Sequence, residues 1–389
     1  MTEISKISMF ATIRRWFRRL EGKETPAAPL DPRRWFRRVV GTLLGTLLAI
    51  GLLTYVVDPY QAYRKPTLYK AVYDEAYYSI PGIVRHYPYD SILVGSSMCQ
   101  NFLVSDLQKE FGGTWVKLTP SGCRPMTARK VMELAFAEKP VKRVLMGLDV
   151  FGYGDNSNQH WLPLPEYLYD NNPWNDYRYL WNKTVLSKAM LDVLKSNLSK
   201  RPKYRCKLDA DRMWNWDFED GRRAYGYKAV LAEEKARGAF YARKLDKTVQ
   251  DTMADNFNRN LLAVIQKHRD TEFVIFFPPY SAMAWHGVKY KGSDESLSVY
   301  LDFKRMALQK LVAESNVRVF DFQADREIVT NFDNYKDSTH YSPTINRLLL
   351  GRIRQNIQRV TPDNLDNGIS GIVGIADDFA KKASEGKTP

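Results

Sequence analysis

Two short stretches of this chain carry side chains that could do nucleophilic chemistry together. The first is Gly95-Ser96-Ser97, which follows the apolar run at 91–94. The second is Asp337-Ser338-Thr339-His340, just before an amphipathic segment near the C-terminus. A serine hydroxyl is a weak nucleophile at neutral pH until a base takes its proton. The chain has five histidines, His86, His160, His268, His286 and His340. Only His340 has an acid at a telling spacing. In a tight turn, a carboxylate three residues earlier can accept from the imidazole Nδ1–H. That fixes the tautomer and leaves Nε2 to receive a serine proton. Each motif alone is weak, because capping serines and acid-bearing turns are common. The pair is far more specific.

The elements that must position these residues are legible as alternation. Short apolar runs at 91–94, 115–118, 143–148, 272–277 and 318–322 read as strands. Between and after them lie candidate helices at 103–111, 125–138, 247–268, 299–315 and 342–359. In the last, Ile345, Leu348, Leu349, Ile353 and Ile357 recur at helical spacing. Continuous apolar strands alternating with helices predict a parallel sheet covered on both faces. The expectation is an α/β domain, three-layer α/β/α and flavodoxin-like, over 88–360. The rhythm breaks at 150–246, which is rich in Trp, Tyr, Asn and Asp. That stretch is too long for a loop. It reads as an insertion after the third strand, partly helical near 184–197, that covers the strands' C-terminal edge, where ligands bind in open α/β sheets. Its aromatics either stack on sugar rings or give the insertion its own small core.

On these residues the chain resembles the SGNH (GDSL-type) hydrolase superfamily. In that family the nucleophile follows the first strand in a G-[DS]-S turn, and D-x-x-H precedes the C-terminal helix. The resemblance covers about 88–360. It implies Ser97 as nucleophile, His340 as general base and Asp337 as the acid that orients it. The family's second block is a glycine after the second strand whose N–H faces the oxyanion. "KLTPSGCRP" offers Gly122 there, with the Ser97 N–H as the other donor. The third block normally supplies an asparagine, and here the chain departs from the pattern. "MGLDVFGYG" places Asp149 where a donor is wanted. Asp149 then either caps a turn or binds a substrate hydroxyl, or Asn156 or Asn158 supplies the missing donor.

Block placement puts Cys99 and Cys123 on neighbouring loops of the implied site. They form either a disulfide that ties the oxyanion loop to the nucleophile turn or two small buried thiols, with Cys99 as nucleophile a minor alternative. His160 could reach the site from the insertion, and His286 could approach it after the fourth strand. Each is otherwise an ordinary histidine. "FFPPYS" reads as a Pro-stiffened turn ending the fourth strand. No phosphate loop, dinucleotide fingerprint or metal-ligand spacing is present in the sequence, so no cofactor is expected.

The formal charge of +14 is unevenly placed. Residues 1–38 hold ten Lys/Arg and four Asp/Glu, and the rest of the excess is spread thinly. That argues against a nucleic-acid partner. Residues 39–57 contain no charge, follow Arg33, Arg34, Arg37 and Arg38, and end at Asp58-Pro59. At 1.5 Å per residue the run reaches about 28 Å, the thickness of a bilayer's hydrocarbon core. It reads as an uncleaved signal anchor. The basic segment 1–38 is then cytoplasmic, and everything after residue 58 lies outside. The expected organisation adds a tyrosine-rich neck at 58–87 and a mobile tail at 361–389, with room for a short helix near 374–382.

The layout is similar to the membrane-anchored SGNH branch that includes teichoic-acid D-alanyl-transfer proteins and alginate-type O-acetyltransferases. It implies a single-pass plasma-membrane protein whose catalytic domain works on a cell-envelope glycan, with the lipid bilayer and a membrane-bound O-acyltransferase as partners. The implied activity is a serine esterase or acyltransferase. A non-catalytic glycan-binding or scaffolding domain is the alternative, supported by Asp149.

Overall fold

The computed structural model describes residues 31–154, 160–170, 172–217, 224–237 and 244–385. The chain divides into two units, 1–53 and 54–389. Most of the described part of the first belongs to helix α1, Pro32–Val57. Its best 18-residue window has a mean hydropathy of 2.1. By length and composition it can cross a membrane, as a signal anchor or a signal sequence would.

The second unit is built on five parallel strands: β1 Ser91–Val94, β2 Trp115–Leu118, β3 Arg143–Gly147, β4 Glu272–Phe277 and β5 Val317–Asp321. Their order is β2-β1-β3-β4-β5. Val94 lies opposite both Leu118 and Met146. Every residue of β1 and β2 is buried, so neither strand alternates between apolar and polar. This is the flavodoxin-like order, and it reverses direction between β1 and β3.

The connecting helices are α2 Ala76–His86, α3 Val104–Phe111, α4 Pro125–Glu138, α5 Met190–Leu198, α6 Tyr227–Arg237, α7 Lys247–Phe257, α8 Asp294–Val312, α9 Pro343–Arg354 and α10 Leu365–Ser384. α3 packs against α9, while α2, α4, α7 and α8 pack in succession. Right-handed crossovers put these two groups on opposite faces of the sheet. α8 starts earlier than the periodicity suggests because Ser293 caps it: the Ser293 Oγ accepts from the Ser296 N–H at 3.0 Å.

One expectation gains detail and one changes. The neck at 58–87 packs into the domain. α2 lies inside it, with Ile80, Ile83 and Val84 fully buried in the main core. Residues 361–385 are not a mobile tail. They hold α10, which buries Leu365, Ile369, Ile372, Ile375 and Phe379 and packs on the Ala282–His286 helix and on α8. Its glycines weaken helix propensity, but tertiary burial outweighs that.

Candidate active site

β1 ends at Val94, and the chain then makes a tight 3₁₀ turn over Ser97–Cys99. Gly95 is required there by close approach. A Cβ on Gly95 would lie 2.4 Å from the Cys99 Sγ, and one on Gly147, at the end of β3, equally close. The Cys99 thiol thus fills the space above two strand ends, at the switch point of the sheet. Ser97 is lifted into a cleft of about 670 Å³ that Gly122, Asp149, Trp161, Trp216 and His340 also line.

The histidine arrives on the turn before α9. Tyr335 and Tyr341 form an antiparallel bridge. The Lys336 N–H donates to the His340 carbonyl at 3.2 Å. The turn that ends β4 clamps this loop from the other side. Both the Ser281 N–H and its hydroxyl donate to the Ser338 carbonyl, at 3.0 and 2.8 Å.

Across the cleft the Ser97 Oγ lies 2.7 Å from the His340 Nε2. The His340 Nδ1 lies 2.9 Å from the Asp337 Oδ2. Asp337 Oδ1 also accepts from the Thr339 and His340 N–H groups, at 3.0 and 2.8 Å. Burial alone would raise the Asp337 pKa. The His340 charge and these hydrogen bonds outweigh it and hold the carboxyl well below the ordinary range. The carboxylate therefore stays ionised and keeps accepting from the ring.

Gly122 has φ +60, in the left-handed region, and a Cβ there would lie 2.5 Å from the Trp161 indole. Among the described residues no protein acceptor engages the Ser97 or Gly122 N–H. Asp149 is held from three sides. Its Oδ1 accepts from the Phe151 N–H at 3.2 Å and from the Tyr280 hydroxyl, and its Oδ2 from the Ser96 hydroxyl at 3.3 Å. It caps the 3₁₀ turn Val150–Gly152 and stands at the cleft wall with much of its accepting capacity taken. Asn156 and Asn158 lie outside the described residues.

The remaining candidates separate. His160 meets Thr127 at 2.7 Å and Glu166 at 3.6 Å and is not among the cleft's lining residues. His286 stacks on Tyr290 and meets Phe379 at a tilt, and it is not among the cleft's lining residues either. Cys99 and Cys123 are not joined. Burial pushes the Cys99 thiol up to about 12 and raises Cys123 as well, so both stay protonated and act as packing groups.

Residues that sequence reasoning passed over complete the site. The Trp216 indole N–H donates to the Ser97 carbonyl at 2.9 Å, and its ring meets His340 edge-on at 5.5 Å. The Lys336 ammonium sits 3.7 Å over the Trp216 ring and 3.9 Å from Asp337. Arg124 lies 5.4 Å over Trp161. The two tryptophans come from the insertion, and only its bias toward aromatics hinted at them.

No family model matches this chain, and no curated protein does. A solved structure from Streptococcus pneumonia, described provisionally as a platelet activating factor, aligns with 73% of this chain and 91% of its own. The identity is 9% and the TM-score 0.36, a likeness too slight to carry an argument about chemistry.

Proposed function

We propose that this chain is a membrane-anchored serine esterase or O-acyltransferase of SGNH type, acting outside the cytoplasm on a cell-envelope polysaccharide or glycopolymer. One observation carries the proposal: Ser97, His340 and Asp337 form an unbroken hydrogen-bonded relay at the mouth of a cleft at the sheet's switch point. In this reading the Ser97 Oγ attacks the acyl carbon, and its proton passes to the His340 Nε2. Asp337 accepts from Nδ1–H throughout and stabilises the imidazolium. The Ser97 and Gly122 N–H groups hold the oxyanion, each worth about 3–4 kcal/mol in the transition state. The leaving group takes the proton from His340. Water or a sugar hydroxyl then resolves the acyl-enzyme by the reverse route.

Trp161, which is 54% exposed, and Trp216 support a glycan as acceptor. Indole faces stack on the C–H faces of pyranose rings. Arg33, Arg34, Arg37 and Arg38, in the first turns of α1 before its uncharged run, support an outside location for the domain. Asp149 favours one second reading, a glycan-binding domain without turnover, because a carboxylate beside the oxyanion position opposes catalysis. Its three donors weaken that reading, since they disperse its charge.

The test is a fluorophosphonate probe on the full chain in detergent, read by intact mass. A single adduct at Ser97, absent from Ser97→Ala and His340→Ala, supports an activated serine. Folded protein that takes up no adduct sinks the enzyme and leaves the binding domain. Release of acyl groups into water, compared with transfer to added oligosaccharide, then separates esterase from transferase.

A further inference from the structure

We infer that the outer face of residues 172–201 is a lipid-docking surface whose partner is the anionic headgroup and acyl boundary of a phospholipid bilayer. The inference rests on the reading of α1 as a membrane anchor and names a second, separate contact with the same membrane.

This part of the insertion has two faces. In the 3₁₀ helix Pro173–Trp181, Asp176 and Tyr179 point inward, while Trp174, Tyr177 and Trp181 are exposed, Trp174 to 88%. A π-helical turn over Val185–Ala189 packs on that helix and runs on into α5. In α5, Asp192, Val193 and Ser196 point inward, and Leu191, Leu194 and Leu198 are exposed, Leu198 to 79%. Single exposed apolar residues are ordinary. Six of them on two linked helical segments mark a binding face. The charges around them have one sign. Arg178, Lys183, Lys195, Lys200 and Arg201 are all exposed, whereas both acids in the stretch, Asp176 and Asp192, are buried. Interfacial Trp and Tyr, leucines and a cationic rim together fit an anionic bilayer surface.

The inner side of the same segments is fastened to the chain that leaves α1. Arg64 and the Tyr69 hydroxyl donate to carbonyls of residues 55–58, so the last turn of α1 is tied off. The Asp58 carboxylate accepts from the N–H groups of Ala62, Tyr63 and Arg64. From there the Tyr60 N–H donates to the Tyr179 hydroxyl at 2.9 Å, and the Tyr63 hydroxyl to the Asp176 carbonyl at 2.9 Å. Lys70 and Asn197 exchange two hydrogen bonds. The exposed apolar residues therefore sit on helices bonded to the first dozen or so residues after the anchor.

The experiment uses the full chain in nanodiscs of phosphatidylethanolamine and phosphatidylglycerol. Spin labels go on Trp174→Cys, Leu194→Cys and Leu198→Cys. Leu47→Cys within α1 and Gln309→Cys at an exposed position of α8 are the references, and the unsubstituted chain corrects for native thiols. Accessibility to oxygen against a water-soluble nickel complex reports depth. The expected result is a shift at 174, 194 and 198 away from Gln309→Cys and toward Leu47→Cys. Adding Leu191→Glu should return the Leu194→Cys label toward water. Labels at 174, 194 and 198 that match Gln309→Cys, with Leu47→Cys in lipid, overturn the docking surface and leave the anchor intact. A water-accessible Leu47→Cys overturns the anchor and the docking surface together.

Discussion

The turn that carries Ser97 and the turn that carries His340 face each other across 2.7 Å, yet different forces hold them. The serine turn is held by packing. Its Cys99 sulfur lies over Gly95 and Gly147, and a fully buried lysine, Lys117, donates to the Gln100 and Phe102 carbonyls behind it. The histidine turn is held by hydrogen bonds that converge on one carboxylate and one carbonyl, those of Asp337 and Ser338. A packed turn is sensitive to volume, and a hydrogen-bonded turn to the loss of an acceptor. The two sides of the site should therefore fail in different ways.

The largest effect belongs to the histidine turn. Asp337→Asn removes the ionised acceptor and should slow adduct formation at Ser97 by roughly 10⁴-fold, with the fold retained. The pH dependence follows from the lowered Asp337 pKa. A folded pKa below the unfolded value adds stability that is complete above about pH 4 and is lost as pH falls through the lower folded value. Chemical denaturation should thus show a gap between wild type and Asp337→Asn that is constant above pH 5 and closes below pH 4. A gap that narrows between pH 7 and 5 would contradict this account.

The serine turn should fail by volume. Gly147→Ala pushes a methyl into the Cys99 sulfur and should cost about 1–3 kcal/mol of stability. Cys99→Ala removes that sulfur, so the double variant should recover much of the loss. Additive costs in the cycle would show that the sulfur is not what the new methyl meets.

How much of this was legible in the sequence divides along similar lines. The five strands were, because a strand buried on both faces is apolar at most of its positions, as at Ile92, Leu93 and Val94. The Ser97, Asp337 and His340 positions were too, since each motif is local even though 243 residues separate the serine from the histidine. For Cys99 and Cys123 the sequence left a disulfide and two free thiols both open, because spacing in sequence does not tell which way a thiol points; the structure has the free thiols. Trp216 was not legible at all. Its partner, the Ser97 carbonyl, is 119 residues away and carries no side-chain signature. α10 was legible only as a short helix near 374–382, because three glycines, Gly368, Gly371 and Gly374, mask a helical stripe from Leu365 to Phe379.

Trp216 links the two turns, so changing it sharpens the contrast. Trp216→Phe keeps a ring beside His340 but loses the N–H donated to Ser97. A single neutral hydrogen bond is worth about 0.5–1.5 kcal/mol. Probe reaction at Ser97 should slow by about tenfold or less, with thermal stability little changed. Trp216→Ala, which also removes the ring under Lys336, should slow it further. Equal rates for the two variants would place the whole effect in the hydrogen bond.

The smallest effect on the probe reaction lies behind the serine turn, where the change is in stability alone. Burial lowers the Lys117 pKa to about 7, against 10.5 for an exposed lysine, although Asp211 opposes the shift. Between these values the unfolded chain holds a proton that the folded chain has released. Unfolding then takes up a proton, so stability from this residue rises with pH from about 7 toward 10. Below pH 7 the folded state carries a buried ammonium that donates to two carbonyls, and its penalty is fully present. Lys117→Met fills a similar volume without the charge and should flatten this part of the pH profile. Relative to its own value at neutral pH, the wild type should gain stability by pH 9.5 while Lys117→Met should not, because the variant has nothing at this position to titrate. Urea midpoints at pH 6.5, 8 and 9.5 measure the slope, and parallel profiles would mean that Lys117 titrates as an ordinary lysine.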